Sequence, residues 1–312
     1  MIRTIIPAPE RICVYDDRTT GETYDLLKSL NNLSLAEGKL VTLDLSKVQY
    51  ITAAASLLLF ATINTCQLMT GNPNAIKCIF PRSDLNSEGH KYIVKTGLGR
   101  ALHSGSLEKL EDLLQSKIYY QSGLNPIELL IVTLSIFEQS LTPVQSELLI
   151  SGIGEAMLNV THHAYKKKGS KTEIDPVKKD IVDSMGERWW QCAWADPESH
   201  SWTFIICDIG LGVSQTYKRE LPNFGGALSE IEALKEAFSQ GNSRFIGSGR
   251  GNGSEDMKRP IEVGAKEELL IYSSGYKYVY NSNMTQAVVM PLGRYFHGTL
   301  VQWTLFSDKG GS

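Results

Sequence analysis

The chain has 312 residues, enough for two domains of ordinary size. Its 42% hydrophobic and 21% charged residues are typical of a globular protein, and the net charge of −3 gives no electrostatic reason to expect a nucleic-acid partner. No apolar segment reaches the roughly 18 residues of a membrane span, and the start lacks a signal-peptide pattern. A cytoplasmic protein without membrane contact is therefore expected.

The N-terminal part of the chain alternates strand and helix patterns. Strands are predicted over residues 39–45 and 75–80, which are short and apolar. Between them, Ala53–Met69 contains no Gly or Pro and is rich in Ala and Leu, which predicts a buried helix. Strands alternating with helices indicate an α/β layer structure.

Two stretches in this part resemble the STAS domain (sulfate transporter and anti-sigma antagonist). They are residues 43–51, which lead into a small-residue helix start, and Lys95-Thr-Gly-Leu98. Antagonist domains of that family carry a phosphorylated serine at the helix start, whereas Thr52 is followed here by three alanines. The resemblance implies a STAS-like domain over 1–108 that docks a protein partner or forms a homodimer and is not phosphorylated by that route. A packing domain without a partner is the alternative.

The second domain is expected over 126–312, after a linker at 109–125, and its first motif lies on a predicted helix over 144–165. Apolar residues there recur with a period near 3.6, and Glu155, Asn159 and His163 are spaced by four, which places them on one helix stripe. A carboxylate can position or deprotonate water, and an amide oxygen can bind Mg²⁺. A solvated polar face is the alternative for this motif alone.

The second motif, Asp208-Ile-Gly210-Leu-Gly212, follows a predicted strand over 202–207. A carboxylate at a strand end can accept a hydrogen bond from the exocyclic amine of adenine. Glycines let the backbone come close to a flat base. An ordinary strand-to-turn exit is the alternative, because Asp and Gly are common there.

The third motif is a run of alternate glycines from Gly247 to Gly253. Such a run can present backbone N–H groups to phosphate oxygens. It is not a Walker loop, because the chain contains no Gly-Lys-Ser/Thr. The polar stretch 237–244 before it could fold over a bound nucleotide, and a flexible surface loop is the alternative.

Together the three motifs resemble the GHKL nucleotide-binding fold shared by gyrase, MutL, the large heat-shock chaperones and histidine kinases. The spacing Glu155, Asn159, His163-Ala-Tyr is most similar to the anti-sigma-factor serine kinases. The resemblance implies a Bergerat-type domain with ATP and Mg²⁺ as cofactors, Glu155 as general base or water-orienting group, and Asn159 as the Mg²⁺ ligand. The cofactor-binding residues that it implies are Asn159, His163, Asp208, Gly210, Gly212, Gly241, Ser243, Arg244, Gly249, Gly251, Gly253 and Thr299.

The fold class expected for the whole chain is α/β, with two α+β two-layer sandwiches. The resemblance implies an ATP-binding regulatory protein that acts as a nucleotide-dependent switch or as a protein serine kinase on a partner. Two alternatives stay open: a non-catalytic interaction module with a structural nucleotide, and a slow ATPase of a bacterial stress or phage-defence system. The charged insertion 166–188 is expected to be a solvated loop.

Overall fold

The structure is a computed structural model that describes residues 2–116, 119–137, 141–196, 200–220, 228–239, 253–264 and 266–306. The chain divides into two compact units. The first consists of Met1–Gly123, Asp183–Gly186 and Trp190–Cys192, and the second of Leu124–Val182, Glu187–Trp189 and Ala193–Ser312. Helices occur with both parallel and antiparallel sheets, so the chain is of mixed α/β class, as expected.

The bounds of the secondary-structure elements are as follows. The strands are β1 Thr4–Pro7, β2 Arg11–Ile12, β3 Val41–Asp44, β4 Tyr50–Ile51, β5 Ile76–Ile79, β6 Tyr120–Gly123, β7 Trp189–Asp196, β8 Ser201–Asp208, β9 Glu268–Asn281 and β10 Val288–Phe306. The α-helices are α1 Asp17–Asn31, α2 Ala53–Met69, α3 Ser87–His90, α4 Leu98–Leu102, α5 Leu107–Gln115, α6 Pro126–Phe137, α7 Pro143–Asn159, α8 Lys179–Met185, α9 Val213–Glu220, α10 Glu230–Ala237 and α11 Gly253–Lys258. Short π-helical turns cover Asn32–Ala36, Lys91–Lys95 and Val160–Ala164, and 3₁₀ turns cover Pro176–Lys178 and Arg259–Ile261. Within the part of the chain that the structure describes, no helix combines the length and apolar character needed to cross a membrane.

The first unit is built around the parallel sheet β1-β3-β5 and the buried helix α2. Leu43 in the central strand pairs with Ile6 on one side and Cys78 on the other. Helix α2 has the predicted bounds and is buried on nearly every face, as expected for a helix inside a core. Within the same unit, β6 lies beside the Trp190–Cys192 segment of β7.

The second unit is built around antiparallel strands in the order β7-β8-β10-β9. The sequence pattern predicts four short strands here, over 269–273, 276–281, 285–291 and 300–306. The structure instead has two long strands, β9 and β10, so that prediction was wrong. The pairing of β10 with β9 has two register shifts, one between Pro291 and Phe296 and one between Phe296 and Thr299. These irregularities leave extra residues unpaired, so β10 continues as one strand through its glycines. In the core, the fully buried Trp303 donates its indole N–H to the Met257 carbonyl oxygen at 2.8 Å, which ties β10 to α11.

Candidate functional site

Three polar side chains form a row across the strands β8, β10 and β9. Asp208, the last residue of β8, is paired with Thr299, and Thr299 is paired on its other side with Ser273. Directly paired residues of antiparallel strands present their side chains on the same face. The register of the sheet therefore brings two predicted residues, Asp208 and Thr299, together with a serine that the sequence did not single out.

Asp208 is a buried carboxylate with several hydrogen-bond donors around it. Its exposed fraction is 5%, and the Gly210 N–H donates to Oδ1 at 2.7 Å. Burial raises the pKa of the carboxyl from 3.8 to about 6, while hydrogen bonds from Gly210 and from the Thr299 N–H and hydroxyl, with the Lys178 charge, oppose the rise. A carboxylate has about four lone-pair sites, and these three donors leave room for one more.

The turn after Asp208 has no room for side chains at its glycines. A Cβ on Gly210 would lie 2.4 Å from the Ala164 carbonyl oxygen, and that same oxygen accepts the Leu211 N–H at 2.7 Å. Gly212 has φ +85°, and a Cβ there would lie 2.9 Å from the Ser273 Oγ. Both glycines are therefore required by the packing of this turn against its neighbours.

Two adjacent serines of β9 complete the surroundings of the turn. The Ser273 hydroxyl accepts the Val213 N–H at 2.8 Å. Ser274 is fully buried, its Oγ has no partner among the groups that the structure describes, and its φ is +57°, a left-handed value that strains a non-glycine residue. The only signal for this pair in the sequence is two hydroxyl residues inside an otherwise apolar strand, which is too common to predict a site.

Helix α7 carries the first predicted motif. It begins with a capping box in which Thr142 and Gln145 bond each other's backbone, with Pro143 in the first turn. The α-helix ends at Asn159 and continues as a π-helical turn over Val160–Ala164. The helix predicted over 144–165 is thus present, but its last turn is wider than an α-helix, a feature that is frequent at functional sites.

The motif residues of this helix are all half-buried. The Asn159 side-chain amide contacts the Met257 sulfur at 3.8 Å, which places it beside α11. Glu155 lies one helical turn earlier, and His163 lies in the π-helical turn next to Ala164. The structure therefore connects the first motif to the Asp208 turn through Ala164 and to α11 through Asn159.

Five of the predicted residues lie outside the described residues. They are Gly241, Ser243, Arg244, Gly249 and Gly251. Gly253 is the first residue of α11, so the third motif leads directly into this helix.

The insertion 166–188 is not a solvated loop, so this prediction was wrong. Asp175, 6% exposed, starts a 3₁₀ turn by accepting the Val177 N–H, and helix α8 follows. Lys178 donates from Nζ to the Ile209 carbonyl oxygen at 2.7 Å, and burial lowers the pKa of its ammonium while the Asp208 charge opposes that change. The Asp-Pro pair at 175–176 was a helix-start signal that could have located this turn.

Tyr165 fixes the end of the first motif against the second. Its side chain is fully buried, its hydroxyl donates to the Arg188 carbonyl oxygen at 2.6 Å, and it accepts the Ile209 N–H at 3.4 Å. This explains why a tyrosine follows His163-Ala164: the phenol bridges the helix end and the residue after Asp208.

In the first unit, the serine nearest the start of helix α2 lies inside the protein core. Ser56, the first serine after the three alanines, is fully buried. Its hydroxyl is hydrogen-bonded to the Tyr120 hydroxyl and to the Ala53 carbonyl oxygen, each at 2.7 Å. A phosphate group therefore has no access to it in this fold.

Comparison of the chain with protein-family models, with curated proteins and with solved structures finds no match. Function is therefore inferred from the residues and their geometry. At the end of β8, the Asp208 carboxylate has one acceptor position left, and the turn that follows carries glycine at positions 210 and 212. Among the residues described, no group of three or more His, Cys, Asp and Glu side chains could hold a metal ion.

Proposed function

We propose that the second unit binds Mg²⁺-ATP in a Bergerat-type pocket and that the chain is an ATP-dependent regulatory protein. The observation that carries this proposal is the buried Asp208 carboxylate, whose ionisation is costly and whose surroundings leave one acceptor position open. An N–H donor from a ligand would compensate that cost.

The adenine base would lie against the turn of Asp208, Gly210 and Gly212. Its amine would donate to Asp208, and Thr299, already bonded to that carboxylate, would lie beside it. The two glycines themselves are required by packing against Ala164 and Ser273, so their place beside a flat base rests on the resemblance to the GHKL fold alone. This arrangement discriminates between bases, because a purine without the amine leaves a buried acceptor unpaired.

The phosphates and the metal would lie toward Asn159 and the third motif. Asn159 would supply an oxygen ligand to Mg²⁺, and Glu155 would orient or deprotonate the attacking water or hydroxyl. Gly249, Gly251 and Gly253 would offer backbone N–H groups, and Gly241, Ser243 and Arg244 would belong to the lid over the nucleotide. His163 would contact the nucleotide from the π-helical turn.

The first unit is proposed to be a STAS-like docking module for a protein partner or for a second copy. The burial of Ser56 favours docking over regulation by phosphorylation of this helix start. With such a partner, the ATP-bound unit would work as a switch or as a serine kinase. A slow ATPase and a module with a structural nucleotide remain the alternatives.

The experiment is calorimetric titration of Mg²⁺-ATP into the wild type, Asp208→Asn and the matched control Asp180→Asn, whose side chain is exposed on α8. The proposal expects saturable binding by the wild type and the control, and a loss of roughly 10- to 100-fold in affinity for Asp208→Asn, the value of a hydrogen bond to a charged group. Equal binding by all three proteins would refute the pocket. Products after long incubation then separate the activities: free phosphate indicates a switch that hydrolyses ATP, phosphoprotein indicates a kinase, and intact ATP indicates a structural nucleotide.

A further inference from the structure

Four side chains of the first unit form a row that begins and ends with a cation and has two aromatic rings between them. Arg11 and Tyr50 are paired neighbours on β2 and β4, and the Arg11 guanidinium carbon lies 4.7 Å from the centre of the Tyr50 ring. The rings of Tyr50 and Tyr92 meet edge to face, with their centres 5.2 Å apart. Lys91 Nζ lies 5.7 Å from the centre of the Tyr92 ring. These four residues are called the cation–aromatic row below.

The rings hold the two cations in place without neutralising them. Arg11 and Lys91 are exposed, whereas both tyrosines are half-buried. A cation within about 6 Å of a ring centre is attracted to the ring face, but the contact contributes no opposite charge. A guanidinium has five N–H donors, and those at its edge stay available to the two oxygens of a carboxylate. The row therefore presents two positioned positive charges to the solvent.

Neither cation of the row is paired with a carboxylate in the part of the chain that the structure describes. Other cations of the chain do form ion pairs, on the surface as well as in partly buried positions. The acidic residues nearest to Arg11 and Lys91 in sequence, Glu10 and Glu88, are exposed and form no ion pair with them. The row thus has the donors for an acidic ligand and no described acidic side chain that occupies them.

We propose that the cation–aromatic row docks an acidic segment of a protein partner. An extended segment of about five residues spans the row, because each residue adds about 3.3 Å. Its carboxylates pair with the guanidinium at one end and with the ammonium at the other, as in other acidic motifs that arginine recognises. The inference rests on the docking role proposed for the first unit, and it names the surface and the chemistry of the partner.

A single-stranded nucleic acid is the other polyanion that uses aromatic side chains. Such a ligand needs open ring faces on which its bases can stack. Here each ring is half-buried and has a cation over it. The net charge of −3 adds no long-range attraction for a nucleic acid. These observations favour the acidic protein segment.

The test is titration of the full chain into a labelled hexaglutamate peptide with capped ends, at low ionic strength, followed by fluorescence anisotropy. The double variant Arg11→Gln/Lys91→Gln removes both charges at exposed positions and is expected to fold. The matched control is Arg18→Gln/Lys28→Gln, an exposed arginine and an exposed lysine of α1. We expect saturable binding by the wild type and the control, and roughly fivefold to tenfold weaker binding by the row variant. No saturable binding, or equal weakening in the control, would overturn the proposal.

A single substitution tests the aromatic pair. Tyr92→Leu keeps both charges but removes the ring beneath Lys91, and we expect roughly threefold weaker peptide binding. Tyr92→Phe keeps the ring and should bind the peptide like the wild type. Wild-type affinity in the leucine variant would show that the rings do not matter, and would contradict the row as a recognition element.

Two further titrations separate the class of partner and the nucleotide site. A labelled thymidine oligonucleotide that binds more tightly than hexaglutamate would overturn the assignment to an acidic protein segment. Mg²⁺-ATP is titrated into the wild type and the row variant, and we expect equal affinities. ATP binding without peptide binding contradicts the cation–aromatic row alone, and peptide binding without ATP binding contradicts the nucleotide pocket alone.

Discussion

Replacing Asp208 by asparagine should make the stability of the protein depend less on pH. Burial raises the pKa of this carboxyl from 3.8 to about 6 in the folded chain. One pH unit of such a difference corresponds to about 1.4 kcal/mol of folding free energy. Ionising Asp208 at neutral pH therefore costs the unliganded fold about 3 kcal/mol.

The direction in which stability changes with pH follows from the raised pKa of Asp208. The folded state binds the proton more tightly than the unfolded state, so the stabilisation from the neutral carboxyl is present below pH 3.8 and is lost as the pH rises through about 6. Asparagine does not titrate. If the asparagine amide is unfavourable beside the Thr299 donors, the loss of stability is the same at every pH, so it does not change the slope of unfolding free energy against pH.

The assay is urea unfolding of the wild type and Asp208→Asn at several values between about pH 4 and 7.5. We expect the free energy of unfolding of the variant, minus that of the wild type, to increase by about 2 to 3 kcal/mol across this range. Asp180→Asn, at an exposed position, should give a nearly constant difference. A flat difference for Asp208→Asn would refute the view that this carboxylate is buried at a cost.

Three further substitutions test the surroundings of this carboxylate. Gly210→Ala should lower the stability of the fold by about 2 kcal/mol or more in thermal unfolding, because its Cβ would lie 2.4 Å from a backbone carbonyl oxygen. The control Gly275→Ala, which has open space around the new Cβ, should change stability by no more than about 0.5 kcal/mol. Similar losses in the two variants would contradict the close packing at Gly210. Ser274→Gly should raise stability by about 1 kcal/mol by relieving the left-handed strain, and Ser274→Ala should not; a loss in the glycine variant would show that the hydroxyl outweighs the strain. Lys178→Met should move the pH midpoint of adenosine binding upward, because the ammonium helps to keep Asp208 ionised, and an unchanged midpoint would contradict that role.

The parts of the fold that follow from local pattern were predictable. Composition alone predicted the bounds of α2 as Ala53–Met69, because a helix buried on nearly every face is rich in apolar residues. Periodicity located α7, because a helix buried along one stripe repeats its apolar residues about every 3.6 positions. The insertion 166–188 was taken for a loop because it is rich in charged residues. Asp175, which caps the 3₁₀ turn leading into α8, is paired with Arg219, a residue distant in sequence that no local pattern connects with it.

The candidate site was predictable only where a single strand or helix carries it. Asp208 and its glycines form one contiguous motif, but Ser273 joins them through the pairing of β9 with β10, whose register shifts no local pattern encodes. Lys178 reaches the residue after Asp208 from an insertion, and its contact depends on tertiary packing. Residues contributed by register and by insertions thus required the structure.

The most direct test of the central claim compares two nucleotides that differ only in the group Asp208 is proposed to bind. Affinities of Mg²⁺-ATP and of purine riboside triphosphate, which lacks the 6-amine, are measured for the wild type and Asp208→Asn. The account predicts roughly 10- to 100-fold weaker binding of the amine-free nucleotide by the wild type and a much smaller difference in the variant. Equal affinity of the wild type for both nucleotides would contradict it.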